Sequence, residues 1–317
     1  MRAIVLSTCL VLAAGCVSHV PMSADYAGPV PPAPLAAQAP QAPVVLSADR
    51  PVKERAGFTV RHLTLPSNVA ARDSIELEYY DIDGAERTPI VMLLPIFNGQ
   101  LIVTRYFARY FANQGWAALI VVREREPLTE LGEPEPAIRA NLADYRRVLD
   151  WVEQLPDIDT ARIGLFGISF GAMDAVMLMA LDSRVDALVA AMAGGDLAYL
   201  LMNTNYRPIA RAINGMLDDT GQSRAGLLAT LEQRITTDPL ALAPYVDAAR
   251  VLLIMTRSDA IVPFEAQQAL RARLGAPETL YLPTGHRPSV LFFPKLRASA
   301  YEFLARQFQS PRVAVAH

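Results

Sequence analysis

The residue run best suited to chemistry lies at 167–171 and reads Gly-Ile-Ser-Phe-Gly. It stands between an apolar, strand-like run at 162–166 and a helix-like run at 172–181. A Gly-x-Ser-x-Gly run in that context is typical of a nucleophile elbow, where a strained turn exposes the serine hydroxyl above the sheet. The pattern therefore predicts Ser169 as a nucleophile, and a glycine-rich turn without chemistry is the alternative.

A serine hydroxyl needs a base to take its proton, usually a histidine oriented by a carboxylate. The chain has four histidines. His19 falls in a proline-rich N-terminal stretch, His317 is the last residue, and His62 precedes most of the predicted sheet. His286 remains, in a glycine-containing loop after the strand predicted at 278–282. We therefore predict that His286 is the base.

The predicted acid is Asp259, which follows an apolar, strand-like run at 251–255. A carboxylate at the end of that strand lies at the same edge of a parallel sheet as Ser169. Asp196 is the rival, because it comes shortly after the preceding predicted strand, 187–192. The alternative for Asp259 is a turn residue that accepts hydrogen bonds from nearby backbone N–H groups.

Acyl transfer also needs two donors for the developing oxyanion. One would be the backbone N–H of Phe170, directly after the nucleophile. The other should come from the loop at 95–99, which reads Pro-Ile-Phe-Asn-Gly. We favour the N–H of Phe97, with Ile96 or Asn98 as the alternatives.

Strand-like and helix-like runs alternate through the chain. The predicted strands cover residues 58–65, 75–80, 90–94, 116–122, 162–166, 187–192, 251–255 and 278–282. The first two alternate in polarity, which favours an antiparallel pair at a sheet edge, and most of the others are continuously apolar. An amphipathic helix is predicted at 138–155. The fold class is therefore α/β, a doubly wound and mostly parallel sheet.

No strand pattern occurs between about 196 and 247, although residues 224–234 look helical. This stretch is longer than a crossover needs, so we predict a helical cap over the site, with an elongated connection as the alternative. Four of its residues could line an apolar acyl pocket: Met202, Tyr206, Ile213 and Met216.

The region from about 90 to 286 resembles the α/β-hydrolase superfamily. The order of Ser169, Asp259 and His286 is one basis. The run at 141–151, followed by Arg-Ile-Gly at 162–164, is similar to the dienelactone-hydrolase-like and acyl-esterase branches. Dienelactone hydrolases use a cysteine nucleophile, so the serine here favours a serine esterase. Many α/β-hydrolases have His-Gly in the oxyanion loop, where this chain keeps only the glycine.

The N-terminus resembles the signal of bacterial lipoproteins. Arg2 and a short apolar run precede Leu-Ala-Ala-Gly-Cys at 12–16, which is similar to a lipobox. The resemblance implies a signal peptide over 1–15 and a palmitate-bearing lipid anchor on Cys16. Val17 stands where an inner-membrane retention aspartate would be, which implies the outer membrane, facing the periplasm. An ordinary secretory signal is the alternative.

The stretch that follows is rich in proline and alanine and is predicted to be an extended tether, with order beginning near Phe58. The predicted division is therefore a signal peptide at 1–15, a lipidated tether at 16–50 and an α/β-hydrolase domain at 51–310. The mature chain would keep one of the two cysteines, so no internal disulfide is expected.

Composition excludes several functions. A net charge of −3 in 317 residues argues against a nucleic-acid partner. Neither a His-Glu-x-x-His run nor a phosphate-binding glycine loop is present, so we expect no metal and no cofactor. The sequence thus predicts a membrane-anchored envelope hydrolase of small carboxylic esters. An amidase or peptidase of the same fold, or a catalytically silent ligand-binding lipoprotein, are the alternatives.

Overall fold

The computed structural model describes residues 17–30, 43–70, 72–84, 87–97, 99–122 and 133–310. Cys16 and the predicted signal peptide lie outside the described residues, as do Asn98 and His317. The strands are β1 Ser18–Val20, β2 Ala48–Arg55, β3 Phe58–Pro66, β4 Ser74–Ile82, β5 Thr88–Leu94, β6 Ala117–Val122, β7 Ile158–Ile168, β8 Ala187–Ala191, β9 Val251–Thr256 and β10 Glu278–Leu282. The helices are α1 Leu101–Asn113, α2 Pro134–Val152, α3 Phe170–Leu181, α4 Leu197–Asn203, α5 Arg207–Thr220, α6 Arg224–Arg234, α7 Pro239–Leu242, α8 Phe264–Arg273 and α9 Phe293–Gln309.

The described strands form one sheet in the order β1-β10-β9-β8-β7-β5-β6-β4-β3-β2. The six strands from β10 to β6 in that order are parallel, whereas β1, β2, β3 and β4 pair antiparallel to their neighbours. One face packs against α1 and α9, and the other against α2, α3 and α8. The predicted fold class, a doubly wound and mostly parallel α/β sheet, is confirmed.

The central strands are buried on both faces, which explains their continuous apolar runs. Every residue of β5, β8 and β9 is buried. The helix that follows β7 is buried almost all round, because α3 lies between the sheet and α2. The first residue of this enclosed helix, Phe170, directly follows Ser169, so the packing of α3 also fixes the position of Ser169.

The N-terminal stretch differs from the prediction of a tether. Strand β1 pairs antiparallel with β10, and the Ser23 amide donates to the Ala276 carbonyl at 3.0 Å. The Tyr26 ring lies so close to Gly275 that a Cβ there would be 2.5 Å from it. Residues 17–30 are therefore part of the folded unit, and the tether prediction is wrong for them. Three residues of edge pairing are too few to give a periodic signal.

Strand β2 was also missed, so order does not begin near Phe58. All eight residues of β2 are exposed, and it pairs with β3 through the backbone, with an irregularity between Pro51 and Lys53. A strand exposed on both faces shows no alternation of apolar and polar side chains, which is the signal that sequence analysis reads.

Between β8 and β9 the chain forms four helices, α4 to α7, and no strand. Among the described helices of the whole chain, none is both long and apolar enough to cross a membrane.

Candidate active site

Ser169 occupies the turn between β7 and α3 in a strained conformation. Its φ of 57° and ψ of −121° lie in a region that non-glycine residues rarely adopt, at a cost of about 1–3 kcal/mol. Its amide donates to the Ala191 carbonyl at 2.8 Å, which fixes the turn to the end of β8. This is the geometry of an elbow that presents its side chain away from the sheet.

The two glycines that flank the turn are required by close backbone approach. A Cβ on Gly167 would lie 2.6 Å from the Ala172 Cα, and one on Gly171 would lie 2.7 Å from the Pro95 carbonyl oxygen. Real Cβ atoms do not approach so closely, so each position accepts only glycine without a backbone shift. The turn is therefore held between β7, α3 and the loop after β5.

His286 and Asp259 form a hydrogen-bonded pair. The Asp259 carboxylate can only accept, so His286 Nδ1 donates to Asp259 Oδ2, at 2.8 Å. Thr256 Oγ1 donates to the same oxygen at 2.6 Å, and the Ile261 and Val262 amides donate to Oδ1 at 2.9 and 3.0 Å. Gln267 Nε2 also donates to Oδ2, at 3.3 Å, so five donors fix the carboxylate at the end of β9.

The charge on this carboxylate is stabilised by its partners. Burial alone would raise the pKa of Asp259, but the hydrogen bonds from His286, Thr256 and the Val262 amide outweigh it and hold the pKa below its usual value. An ionised Asp259 favours the tautomer in which His286 carries a proton on Nδ1, which leaves Nε2 able to accept one.

The rival acid, Asp196, caps the N-terminus of α4. It adopts a left-handed conformation, with φ of 63°, at the start of α4, and its Oδ1 accepts from the Tyr199 amide at 3.0 Å. That contact is a helix N-cap. Of the two candidate acids, it is Asp259 that contacts His286.

The other described histidines pair with carboxylates elsewhere. His19 Nε2 lies 3.0 Å from Glu278 Oε1, and His62 Nε2 lies 3.7 Å from Glu78 Oε2. Neither histidine lines the cavity that contains Ser169.

Ser169 and His286 both line a cavity of about 540 Å³, a volume within the usual range for small-molecule sites. Most of its wall is apolar. The helices between β8 and β9 and the segments joining them contribute Leu197, Leu200, Leu201, Thr204, Tyr206 and Ile209. These helices therefore cover the site as a cap.

Phe97 and Phe170, the two predicted oxyanion donors, border the same cavity, as does Ile96. The rings of Phe97 and Phe170 pack edge to face, with centroids 5.5 Å apart. Because α3 begins at Phe170, the positive end of the helix dipole lies beside Ser169. A negative charge that develops near Ser169 is favoured there.

The prediction that four cap residues line an apolar pocket was wrong for three of them. Of the four, only Tyr206 lines the cavity. Met202 and Ile213 are buried in the core, and Met216 packs against it. Their spacing carried no information on which face of each cap helix meets the cavity.

Helix α2 forms a part of the cavity wall that was not predicted from the sequence. Pro134, Ala137, Ile138 and Asn141 line the cavity, at the spacing of one helix face. Arg287, next to His286, lines it as well. The signal available in the sequence was a polar residue, Asn141, among apolar neighbours on one face of a helix.

Within the part of the chain that the structure describes, no group of histidine, cysteine and acidic side chains is arranged to hold a metal ion.

Comparisons with known proteins agree on the kind of molecule. The model of the family described as X-Pro dipeptidyl-peptidase (S15 family) matches residues 26–241. A thiohydrolase from Eupenicillium brefeldianum is 23% identical over 262 residues, which covers 67% of this chain and 83% of that protein.

Two solved structures show the same fold. Acetyl xylan esterase 1 from Thermoanaerobacterium sp. JW/SL YS485 superposes with a TM-score of 0.66 and 17% identity, over 83% of this chain and 87% of the other. An acetyl xylan esterase from Paenibacillus sp. R4 superposes with a TM-score of 0.63 and 19% identity, over 86% of this chain and 90% of the other. At these identities the likeness concerns the fold.

Proposed function

This chain belongs to the X-Pro dipeptidyl-peptidase family (S15 family), a family of α/β-hydrolases, and we propose that it acts as a serine hydrolase of carboxylic esters. Ser169 would be the nucleophile, His286 the base and Asp259 the acid. The observation that carries the proposal is the 2.8 Å hydrogen bond that joins Asp259 to His286, because His286 lines the same cavity as the strained Ser169.

In the proposed reaction, Ser169 Oγ attacks the ester carbonyl carbon while its proton passes to His286 Nε2. The backbone N–H groups of Phe170 and Phe97 would stabilise the oxyanion, each by about 3–4 kcal/mol. The C–O bond then breaks, and the departing alcohol takes the proton from His286. Water attacks the acyl-enzyme by the same route and releases the carboxylic acid and Ser169.

The character of the cavity favours an ester over a peptide. The charged side chains that the described residues bring to its wall are Arg287 and, when protonated, His286. Positive charge repels the amino terminus that an X-Pro dipeptidyl-peptidase must bind. The apolar remainder of the wall suits an acyl chain.

Thioester hydrolysis is a second candidate, because the curated relative is named a thiohydrolase. It would use the same acyl-enzyme, with a thiolate in place of the alkoxide as leaving group. A panel of p-nitrophenyl esters, acyl thioesters and X-Pro p-nitroanilides of matched concentration separates the three activities by kcat/KM. We expect esters to be cleaved fastest, and anilides turned over more rapidly than esters would point to a peptidase.

A fluorophosphonate probe tests the nucleophile and the catalytically silent alternative together. We expect the probe to label the wild-type protein and Ser183→Ala, a variant of an exposed serine, but not Ser169→Ala. Equal labelling of Ser169→Ala and wild type would show that another residue reacts. No labelling of any folded variant would favour a silent ligand-binding protein.

We also propose that a lipid on Cys16 anchors the protein in the bacterial envelope, on the periplasmic side of the outer membrane. Because β1 begins at Ser18, such a lipid would hold the β10 edge of the sheet close to the bilayer. Metabolic labelling with alkynyl palmitate and membrane fractionation test this. We expect label and membrane association in the wild type and loss of both in Cys16→Ser, and unchanged behaviour of that variant would exclude lipidation.

A further inference from the structure

Asn141 is a buried residue in the wall of the cavity, and among the described residues nothing accepts a hydrogen bond from its side-chain nitrogen. The residue is 3% exposed, and its Nδ2 has no partner among the described residues. An unpaired buried donor costs free energy that a bound acceptor can recover. Two hydroxyls in the same wall are already paired, since Thr204 Oγ1 donates to the Ile261 carbonyl at 2.7 Å and Ser289 Oγ to the His286 carbonyl at 2.6 Å.

The position of Asn141 is fixed by the packing of α2 on α3. One turn further along α2, Tyr145 donates to Asp174 Oδ2 at 2.9 Å. Asp174 directly follows Met173, which lines the cavity one helical turn after Ser169. Asn141 therefore faces the cavity among apolar neighbours such as Ile138 and Met173.

Asn141 belongs to the closed side of the cavity. Two other lining residues, Arg287 and Val290, are exposed, Val290 to 53%, so the cavity opens to solvent beside them rather than beside Asn141. After acylation the alcohol must leave and water must enter, and both need an open path. The acyl chain therefore occupies the closed side, within reach of Asn141.

We propose that Asn141 is a specificity-determining residue that donates a hydrogen bond to an oxygen within the acyl chain of the substrate. The cavity then selects acyl chains that carry a keto or hydroxyl group over plain alkyl chains of equal length. This inference depends on the proposed ester hydrolysis for one point, which is that the group bound beside Asn141 is the acyl chain of an ester. An alkyl chain leaves the amide unpaired, whereas an oxygenated chain satisfies it, a difference of about tenfold to hundredfold.

The test compares methyl octanoate with methyl 3-oxo-, 5-oxo- and 7-oxo-octanoate as substrates of the wild type, Asn141→Leu and Asn113→Leu. Asn113 is an exposed residue at the end of α1, outside the cavity, and is the matched control. For at least one keto position, we expect wild type and Asn113→Leu to show kcat/KM about tenfold or more above that of methyl octanoate. Asn141→Leu should lose this preference, so that its ratio of kcat/KM for the keto ester to kcat/KM for methyl octanoate falls by about tenfold or more.

Calorimetric binding of the same four esters to Ser169→Ala and to Ser169→Ala with Asn141→Leu requires no turnover. If no ester is hydrolysed but the keto preference in binding depends on Asn141, the proposed reaction is wrong and the assignment of Asn141 stands. The assignment would be overturned if no keto ester were preferred in either kcat/KM or binding, or if replacing Asn141 by leucine left the preference unchanged. Water would then be the partner of the amide. Asn141→Ala provides the same comparison should the leucine variant fold poorly.

Discussion

At the scale of single residues, the site depends on a conformation that is unfavourable by itself. The backbone of Ser169 costs about 1–3 kcal/mol, and it persists because neighbouring segments leave it no alternative. The hydrogen bond from its amide to Ala191 and the close contacts at Gly167 and Gly171 supply that constraint. The serine is thus placed by backbone packing on three sides.

Replacement of Gly171 by alanine tests this constraint. A Cβ there meets backbone atoms of Leu94 and Pro95, which cannot move without disturbing β5. We expect Gly171→Ala to lower the free energy of unfolding by about 3 kcal/mol or more, measured by urea denaturation.

The matched control is Gly215→Ala, in the interior of α5, where an added Cβ has no heavy atom within 4 Å. That variant should gain about 0.5–1 kcal/mol from helix propensity. Similar effects of the two substitutions would show that the elbow is not tightly enclosed.

The two candidate acids give a matched pair of variants. Asp259→Asn leaves the shape of the side chain but removes the charge that holds His286, so we expect kcat to fall by roughly 10³–10⁴. Asp196→Asn keeps a good N-cap for α4 and should retain activity within a few-fold. The kcat of ester hydrolysis by the two variants decides which aspartate is the acid. A larger loss of kcat in Asp196→Asn than in Asp259→Asn would identify Asp196 as the acid.

At the scale of elements, one carboxylate joins the α2 wall of the cavity to its cap. Glu135, in the first turn of α2, accepts four hydrogen bonds of 2.7–2.9 Å from the amides and hydroxyls of Thr236 and Thr237, and Arg139 adds another. Burial alone would raise the pKa of Glu135, but these donors lower it to about 2. Ile235, the residue before this pair, lines the cavity.

Because its folded-state pKa is lowered, Glu135 stabilises the fold fully above about pH 4.5, and that contribution is lost as pH falls toward 2. We expect Glu135→Gln to lower stability by about 1–2 kcal/mol at pH 7, since the neutral amide accepts more weakly. Chemical denaturation at several pH values should show the difference from wild type shrinking below pH 4.5.

The control for this prediction is Glu133→Gln, an exposed residue just before α2, which should be close to neutral at pH 7. A deficit in Glu135→Gln that stays constant down to pH 2 would mean that charge is not its cause.

The N-terminal segment is a second element whose contribution can be measured. The Tyr26 hydroxyl donates to the Val246 carbonyl at 3.3 Å and accepts from the Ala248 amide at 2.9 Å, while burial raises its pKa to about 12. We expect Tyr26→Ala to cost about 2–3 kcal/mol, and Tyr26→Phe, which keeps the ring against Gly275, about 1 kcal/mol.

Thermal unfolding of both tyrosine variants decides whether this segment belongs to the fold. If each melts like the wild type, residues 17–30 contribute nothing to stability and behave as the tether that composition predicted.

At the scale of the whole molecule, the elements that could be predicted from the sequence are those on which burial imposes a pattern of apolar residues. The buried strands were predicted because burial on both faces gives continuous apolar runs, and the elbow because its turn requires glycines at fixed positions around the serine. Strands β1 and β2 were missed because backbone hydrogen bonds at the sheet edges, rather than buried side chains, hold them. Asn141 was missed as a cavity-lining residue because the packing of α2 on α3, which the sequence does not reveal, decides which face of α2 meets the cavity.

Trapping the acyl-enzyme tests most directly whether Ser169 is the nucleophile. The reaction of the wild-type protein with p-nitrophenyl octanoate is stopped with acid in the first turnover, and the digest is examined by mass spectrometry. We predict an octanoyl adduct on the peptide that contains Ser169, and no adduct in Ser169→Ala. Turnover of the ester without that adduct, or with an adduct on another residue, would show that Ser169 is not the nucleophile.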